Sequence, residues 1–141
     1  MRILAVDLGD VRTGVAVSDP SGTRATPVTV ITERDTGALA DKIARLCAEH
    51  QAGLVVVGYP KNMDGSAGSR AEKCAAAARL ISEASSLPHI LWDERCTTLS
   101  AIGYLNAADV RGKKRKSVID AAAASIILQD YLDSRRNANQ G

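Results

Sequence analysis

Phenylalanine is absent from this chain, and only Trp92, Tyr59, Tyr104 and Tyr131 carry aromatic rings. A protein that binds single strands by stacking bases on a broad aromatic platform needs more rings, set close together. No run of about 18 apolar residues occurs, and no basic stretch followed by an apolar signal core opens the chain, so neither a membrane span nor secretion is expected. Cytoplasm is the expected compartment. The three cysteines are odd in number and lack the paired spacings of zinc or redox motifs. Cys47 and Cys74 fall in helical patterns and Cys96 after a strand end. A lone thiol with no histidine near it in sequence reads as a small buried hydrophobe before it reads as a nucleophile. His50, after a helix, and His89, at the head of a strand, read as structural.

What is present is aliphatic. The hydrophobic fraction of 45% is carried mostly by Ala, Val, Leu and Ile. At 141 residues the chain can bury one core and is too short for two ordinary domains, so 1–134 is expected as one domain and 135–141 as a polar tail. Met1–Val6 reads as a short buried strand stopped by Asp7. Gly14–Ser18 and Pro27–Ile31 are strands separated by the turn Asp19-Pro20-Ser21-Gly22, which predicts a three-stranded antiparallel start. Leu39, Ile43, Leu46 and Cys47 share one face of a helix, Gly53 is expected to stop it, and Leu54–Gly58 reads as a strand buried on both faces. A helix over about Ser69–Ser86 leads to a strand at Pro88–Trp92, and Ile119–Leu128 has the spacing of a helix packed on a sheet. Strands joined by crossover helices predict a parallel half of a mixed α/β sheet, and such sheets place ligand sites at the carboxyl ends of their strands.

Three acids fall where those ends should be. Asp7 follows the first strand, Asp93 and Glu94 follow the Pro88–Trp92 strand, and Asp120 stands at the head of the last helix. Each has an ordinary explanation. Asp7 with Gly9 suits a strand-ending turn. Ser117 to Asp120 fits a helix capping box. Asp93 and Glu94 could pair with Arg95 on the surface. Their combination is what carries meaning, because carboxylates returned to one sheet rim can hold a cation.

Positive charge is concentrated. Arg111, Lys113, Lys114, Arg115 and Lys116 are five of the 18 basic residues, and without them the 16 acids would outnumber the bases. A basic run just before Asp120 is placed to neutralise phosphates beside the acids, and before substrate arrives it is expected to be mobile. The stretch Tyr59-Pro60-Lys61-Asn62-Met63-Asp64-Gly65-Ser66-Ala67-Gly68-Ser69-Arg70 is longer than most strand-to-helix connections and contains no P-loop consensus. Its backbone amides, with Lys61 or Arg70, read as a contact to a nucleic-acid backbone.

Four phrases together resemble one family: Asp7-Leu-Gly-Asp-Val-Arg12-Thr-Gly14-Val-Ala-Val-Ser18-Asp19, Gly58-Tyr-Pro60-Lys-Asn62-Met-Asp-Gly65-Ser66, Asp93-Glu94-Arg95-Cys-Thr97-Thr98, and Lys116-Ser-Val-Ile-Asp120 with its alanines. They are similar to the YqgF/RuvX family, described as Holliday-junction resolvases or pre-16S rRNA nucleases, in order and from about Arg2 to about Leu132. Tyr59, where an aliphatic residue is usual, and Cys96, where leucine is usual, depart from the family pattern without removing a carboxylate. The resemblance implies a ribonuclease H-like fold, with a mixed five-stranded sheet flanked by helices. It implies a hydrolase acting on structured RNA or branched DNA, most readily pre-16S rRNA 5′-end processing, with ribosomal precursor particles as partners. Asp7, Glu94 and Asp120 would be catalytic and would hold Mg²⁺ or Mn²⁺, two such ions ~4 Å apart serving attacking water and leaving oxygen. Glu94 is chosen over Asp93, the alternative, on the resemblance and on strand alternation. Arg12, Lys61, Asn62, Arg70, Arg95, Lys113, Lys114, Arg115 and Lys116 would contact the nucleic acid. A monomer or a homodimer is expected, since nothing in the sequence specifies an interface. Two competing classes remain: an actin-like phosphotransferase, for which the chain is too short to hold a duplicated domain, and a nucleic-acid-binding factor without catalysis.

Overall fold

Val55, Val56 and Val57 are fully buried, as a strand covered on both faces requires. They lie in β4 (Ala52–Tyr59), which pairs in parallel with β1 (Arg2–Leu8) on one side and β5 (His89–Asp93) on the other. On the far side of β1 come β2 (Arg12–Ser18) and β3 (Ala25–Thr32), each antiparallel to its neighbour, so the sheet order is β3-β2-β1-β4-β5. The chain is described here from a computed structural model over residues 1–9, 11–59, 68–93 and 122–135. Helix α1 (Thr36–Glu49) joins β3 to β4 and α2 (Ser69–Ser85) joins β4 to β5. Residues 122–135 form a further helix, α3, which runs past the stretch expected from sequence and includes Arg135. No helix among the described residues is long and apolar enough to cross a membrane.

Strand alternation divides the core into two layers. Leu4, Val6 and Leu8 of β1, Val55 and Val57 of β4, and Val15 of β2 pack under α1 and α2, against Leu39, Ile43, Cys47, Cys74, Ala78 and Ile81. Ile3, Ala5, Ala16, Leu54 and Val56 face the other way, onto Ala124, Ile127, Leu128 and Leu132 of α3. Those α3 positions recur at the three- and four-residue intervals of one helix face. Within α1, Ala40 is buried with Leu39, Ile43 and Cys47, while Leu46 is half-buried at the margin.

Four sequence expectations change. Asp7 does not end the first strand: β1 continues to Leu8 because its ladder with β2 continues, Asp7 pairing with Gly14 and Leu8 with Thr13. For the same reason β2 begins at Arg12, two residues before the expected Gly14. The strand expected over Pro27–Ile31 runs from Ala25 to Thr32; Pro27 is tolerated because β3 is an edge strand and a register shift falls beside it. Gly53 does not stop α1: the helix ends with His50 as its cap, Gln51 takes the left-handed conformation at φ 56°, and Gly53 lies inside β4. At the other end of α1, the Asp35 carboxylate accepts from the Ala38 amide at 2.8 Å, a cap that contributes about 1 kcal/mol.

The turn between β2 and β3 is organised by Asp19. Its carboxylate accepts from the Thr23 amide at 2.9 Å, the Ser21 hydroxyl at 2.8 Å and the Arg24 amide at 3.3 Å, while Gly22, at φ 73°, donates its amide to the Asp19 carbonyl. These donors, the Thr23 amide first, hold the Asp19 carboxyl far below the usual carboxylate range. A folded-state pKa below the unfolded one stabilises the protein above the unfolded pKa, and that contribution is lost as pH falls through the folded one. Asp19→Ala is therefore expected to lower the melting temperature at pH 7, with the gap to wild type narrowing as pH falls below about 4. A gap independent of pH, measured by thermal melts, would assign the turn's stability elsewhere.

Candidate active site

Asp7 shares strand parity with Ile3 and Ala5, so its carboxylate lies on the α3 face of the sheet, beyond the last apolar residue of that layer. It is half-buried. A carboxylate in that position costs free energy unless hydrogen bonds or a cation compensate it, whereas an acid that merely ended a strand would be left in water. Directly opposite on β2 is Gly14, which places no side chain beside it. Two residues towards the hairpin turn, and of the same parity, stands Arg12. It is partly buried, and its Nη1 is buried without an acceptor among the described residues.

Neighbouring strands bring further residues to this level. Val6 pairs with Val57 and Val57 with Leu91, so the Asp7 level of β1 meets Gly58 of β4 and Trp92 of β5. Trp92 and Ile90 pack into the α3 layer, and Trp92 meets Tyr131 of α3 edge to face, ring centroids 5.5 Å apart. Two of the four aromatic rings are thus committed to a core contact and form no stacking platform. Asp93 is the last residue of β5, and Arg70 the second of α2. Glu94, Arg95, Cys96, Asp120, Lys61, Asn62 and the basic run Lys113, Lys114, Arg115 and Lys116 lie outside the described residues. Among the described residues no three His, Cys, Asp or Glu side chains gather as a metal-holding group.

The direction of α3 follows from Gln129, a residue that no motif marks. Its Oε1 accepts from the Ala25 amide at 2.9 Å, and its Nε2 donates to the Thr23 carbonyl at 3.0 Å and to Asp133 at 3.0 Å. Ala25 pairs with Ser18, whose hydroxyl accepts from the Ile3 amide at 2.8 Å. The middle of α3 is therefore fastened at the Ile3 end of β1, four residues from Asp7. Beside that contact, burial and then the neighbouring Asp133 push the Asp130 carboxyl upward, and one of its oxygens is buried without a partner.

Away from Asp7, a cavity of about 400 Å³ opens on the α1/α2 side of the sheet, lined by Leu8, Gly9, Leu39, Cys74, Ala77 and Leu80. Its one carboxylate, Glu33, is bound to Lys42 at 2.9 Å, so it offers no acid cluster. Cys47 and Cys74 are buried free thiols, as their helical patterns predict. Burial pushes the Cys47 thiol up to about 11, which leaves almost no thiolate at neutral pH.

Residues 1–134 match a family model described as "RuvX: Holliday junction resolvase". A protein of Thermoanaerobacter pseudethanolicus named "Putative pre-16S rRNA nuclease" is 44% identical over 97% of this chain and 99% of its own. A Geobacillus kaustophilus protein of the same name is 47% identical over 96% of this chain and all of its own. Among solved structures, Thermus thermophilus RuvC in complex with a Holliday junction substrate superposes with a TM-score of 0.62 at 14% identity, covering 97% of this chain and 96% of that one. The Fowlpox virus resolvase with substrate Holliday junction DNA gives 0.59 at 14% identity, covering 96% and 99%. At those identities the likeness shows the fold, which is that of the ribonuclease H-like resolvases.

The turn carrying Arg12 depends on Gly9. A methyl group on Gly9 would collide with the Arg12 carbonyl oxygen, a backbone atom that cannot swing aside. Gly9→Ala is expected to destabilise the fold by about 1–3 kcal/mol, the usual range for overpacking, in chemical denaturation. An unchanged midpoint would show that the hairpin opens there at no cost.

Proposed function

The chain belongs to the RuvX family, and we propose that it is a metal-dependent phosphodiester nuclease acting on structured nucleic acid, with the 5′ end of pre-16S rRNA as its substrate. The rRNA assignment is supported by full-length similarity to proteins named for that substrate, at 44% and 47% identity. Cleavage of Holliday junctions is the second reading, favoured by the family description.

One observation supports the chemistry: Asp7, by strand parity, and the buried row of α3 lie on the same face of the sheet. Leu132, Leu128 and Ala124 form a row four residues apart on the sheet-facing side of α3. One more interval of sequence leads to Asp120. From Gln129 back to position 120 is nine residues, about 13.5 Å at helical rise, and from Ile3 to Asp7 four strand residues cover about 13 Å. A helix that began at Asp120 and was fastened at the Ile3 end by Gln129 would be long enough for its first turn to come level with Asp7. The same logic favours Glu94 over Asp93, since position 94 has the parity of Ile90 and Trp92, which face α3, whereas 93 has that of exposed Leu91.

The donor set suits a hard divalent cation. Asp7, Glu94 and Asp120 offer only carboxylate oxygens, which Mg²⁺ and Mn²⁺ prefer, and no thiol or imidazole enters the set. When bound, such ions would supply Lewis-acid activation of a water nucleophile and stabilisation of the leaving oxygen. The chain's own carboxylates would orient that water and exclude competing arrangements, and no covalent enzyme intermediate is required. Lys61, Asn62, Arg70, Arg95 and the run from Lys113 to Lys116 would carry phosphate contacts, which position the substrate without reading sequence.

Asp7→Asn, Glu94→Gln and Asp120→Asn are each expected to abolish most cleavage of defined pre-rRNA and four-way-junction substrates while the melting temperature is kept or raised, because repulsion among clustered acids is relieved. Ca²⁺ in place of Mg²⁺ or Mn²⁺ should support binding with poor cleavage. If Asp120→Asn melts lower and turns over normally, that acid is only a helix cap. Undiminished cleavage in excess chelator would remove the metal from the mechanism, and binding without cleavage under every metal would leave a nucleic-acid-binding factor.

A further inference from the structure

We infer that Arg12 holds the non-bridging oxygens of the phosphodiester that is cleaved beside Asp7. The inference rests on the nuclease reading above and deepens it by assigning the group that receives the substrate's charge.

Four features lead there. Arg12 opens β2 and has the parity of Gly14 and Ala16, which places it on the face that carries Asp7. Asp7 and Arg12 are diagonal neighbours across the hairpin, a relation that sets Cβ atoms about 7–8 Å apart, within reach of a long side chain. Gly14, between them and opposite Asp7, leaves the space over the strand unfilled by any side chain of its own. Finally, Nη1 of Arg12 is buried with no acceptor, although the guanidinium is always charged and nearly always paired when it leaves water.

A desolvated, unpaired donor is costly for a folded chain to keep unless something arrives to satisfy it. Among the described residues, Asp19, Glu33 and Asp35 are engaged elsewhere, in the β2–β3 turn, with Lys42 and at the α1 cap. A phosphate suits the guanidinium better than any neutral partner, since its oxygens accept the planar fork in pairs. Gly9 lets the hairpin close at this point, since a side chain there would collide with the Arg12 carbonyl oxygen. Charge that grows on the phosphoryl oxygens during cleavage would therefore meet a donor whose Nη1 is already withdrawn from water.

The test uses the full chain, a labelled four-way DNA junction and a labelled RNA hairpin. Binding is measured in Ca²⁺ across salt, and single-turnover cleavage in Mg²⁺. Arg12→Gln should melt at or above the wild-type temperature, because a buried donor without an acceptor, Nη1, is gone. It should flatten the dependence of log K on log salt by up to about 0.9 on duplex DNA, one phosphate contact, and slow cleavage of bound substrate by about 100-fold. Arg12→Lys should restore the salt slope but not the rate, lacking the two-pronged fork. A lower melting temperature in Arg12→Gln with slope and bound-state rate unchanged would make Arg12 a structural residue and overturn the inference. Wild type that cleaves, with Arg12→Gln matching it in slope and rate, overturns the inference alone. Wild type that neither cleaves nor binds in a salt-dependent way overturns the nuclease reading with it.

Discussion

The architecture depends on the register between β1 and β2. Because Asp7 pairs with Gly14 and Val6 with Val15, successive residues of β1 are committed to opposite faces, Leu4, Val6 and Leu8 to the α1/α2 layer and Ile3, Ala5 and Asp7 to the α3 layer. A slip of one residue would drive Asp7 into the fully apolar layer among Ile43, Val57 and Ile81, where an ionised carboxylate is prohibitively costly. The hydrophobic pattern of the central strands therefore fixes both the core and the one polar residue that the core's edge presents. Gly9 secures the hairpin, and the Asp19 turn secures the opposite end of the same strand pair. Gln129 then ties α3 across the sheet to that second turn, so the helix is anchored by the strand pair that carries Asp7.

Much of this was legible in the sequence, for identifiable reasons. The antiparallel start, the all-apolar β4 and the positions of α1 and α2 follow from local periodicity and turn residues. Asp7, as the acid that interrupts the apolar run Ile3–Val6, drew attention to that strand for the same reason. Strand ends were less legible because the hydrogen-bond ladder outlasts the apolar pattern: β1 runs one residue past Asp7 and β2 begins at Arg12. Gly53 misled because glycine is the usual residue after a helix, yet Gln51 bears the positive φ. The link from Gln129 to Ala25 spans 104 residues and leaves no local trace. The buried Nη1 of Arg12 is also a property of packing, which no motif reports.

Substrate identity stands on different ground from the fold. The fold is shared with resolvases at 14% identity, too distant to carry a substrate, while proteins related along their whole length bear an rRNA-nuclease name. Both substrates are polyanions with bent or branched backbones, and the proposed combination of acids and phosphate-binding cations would suit either. Trp92 and Tyr131 are spent on each other between β5 and α3, so these two rings are not offered to bases.

The central claim is convergence: one acid from β1, one following β5 and one preceding α3 form a single cation site. Calorimetric titration of the resting protein with Mn²⁺ tests it without reference to activity or substrate. The account predicts measurable binding that is weakened at least about 10-fold by Asp7→Asn, by Glu94→Gln and by Asp120→Asn alike, and left intact by Asp93→Asn. Binding indifferent to Asp120→Asn, or lost on Asp93→Asn and kept on Glu94→Gln, would contradict it.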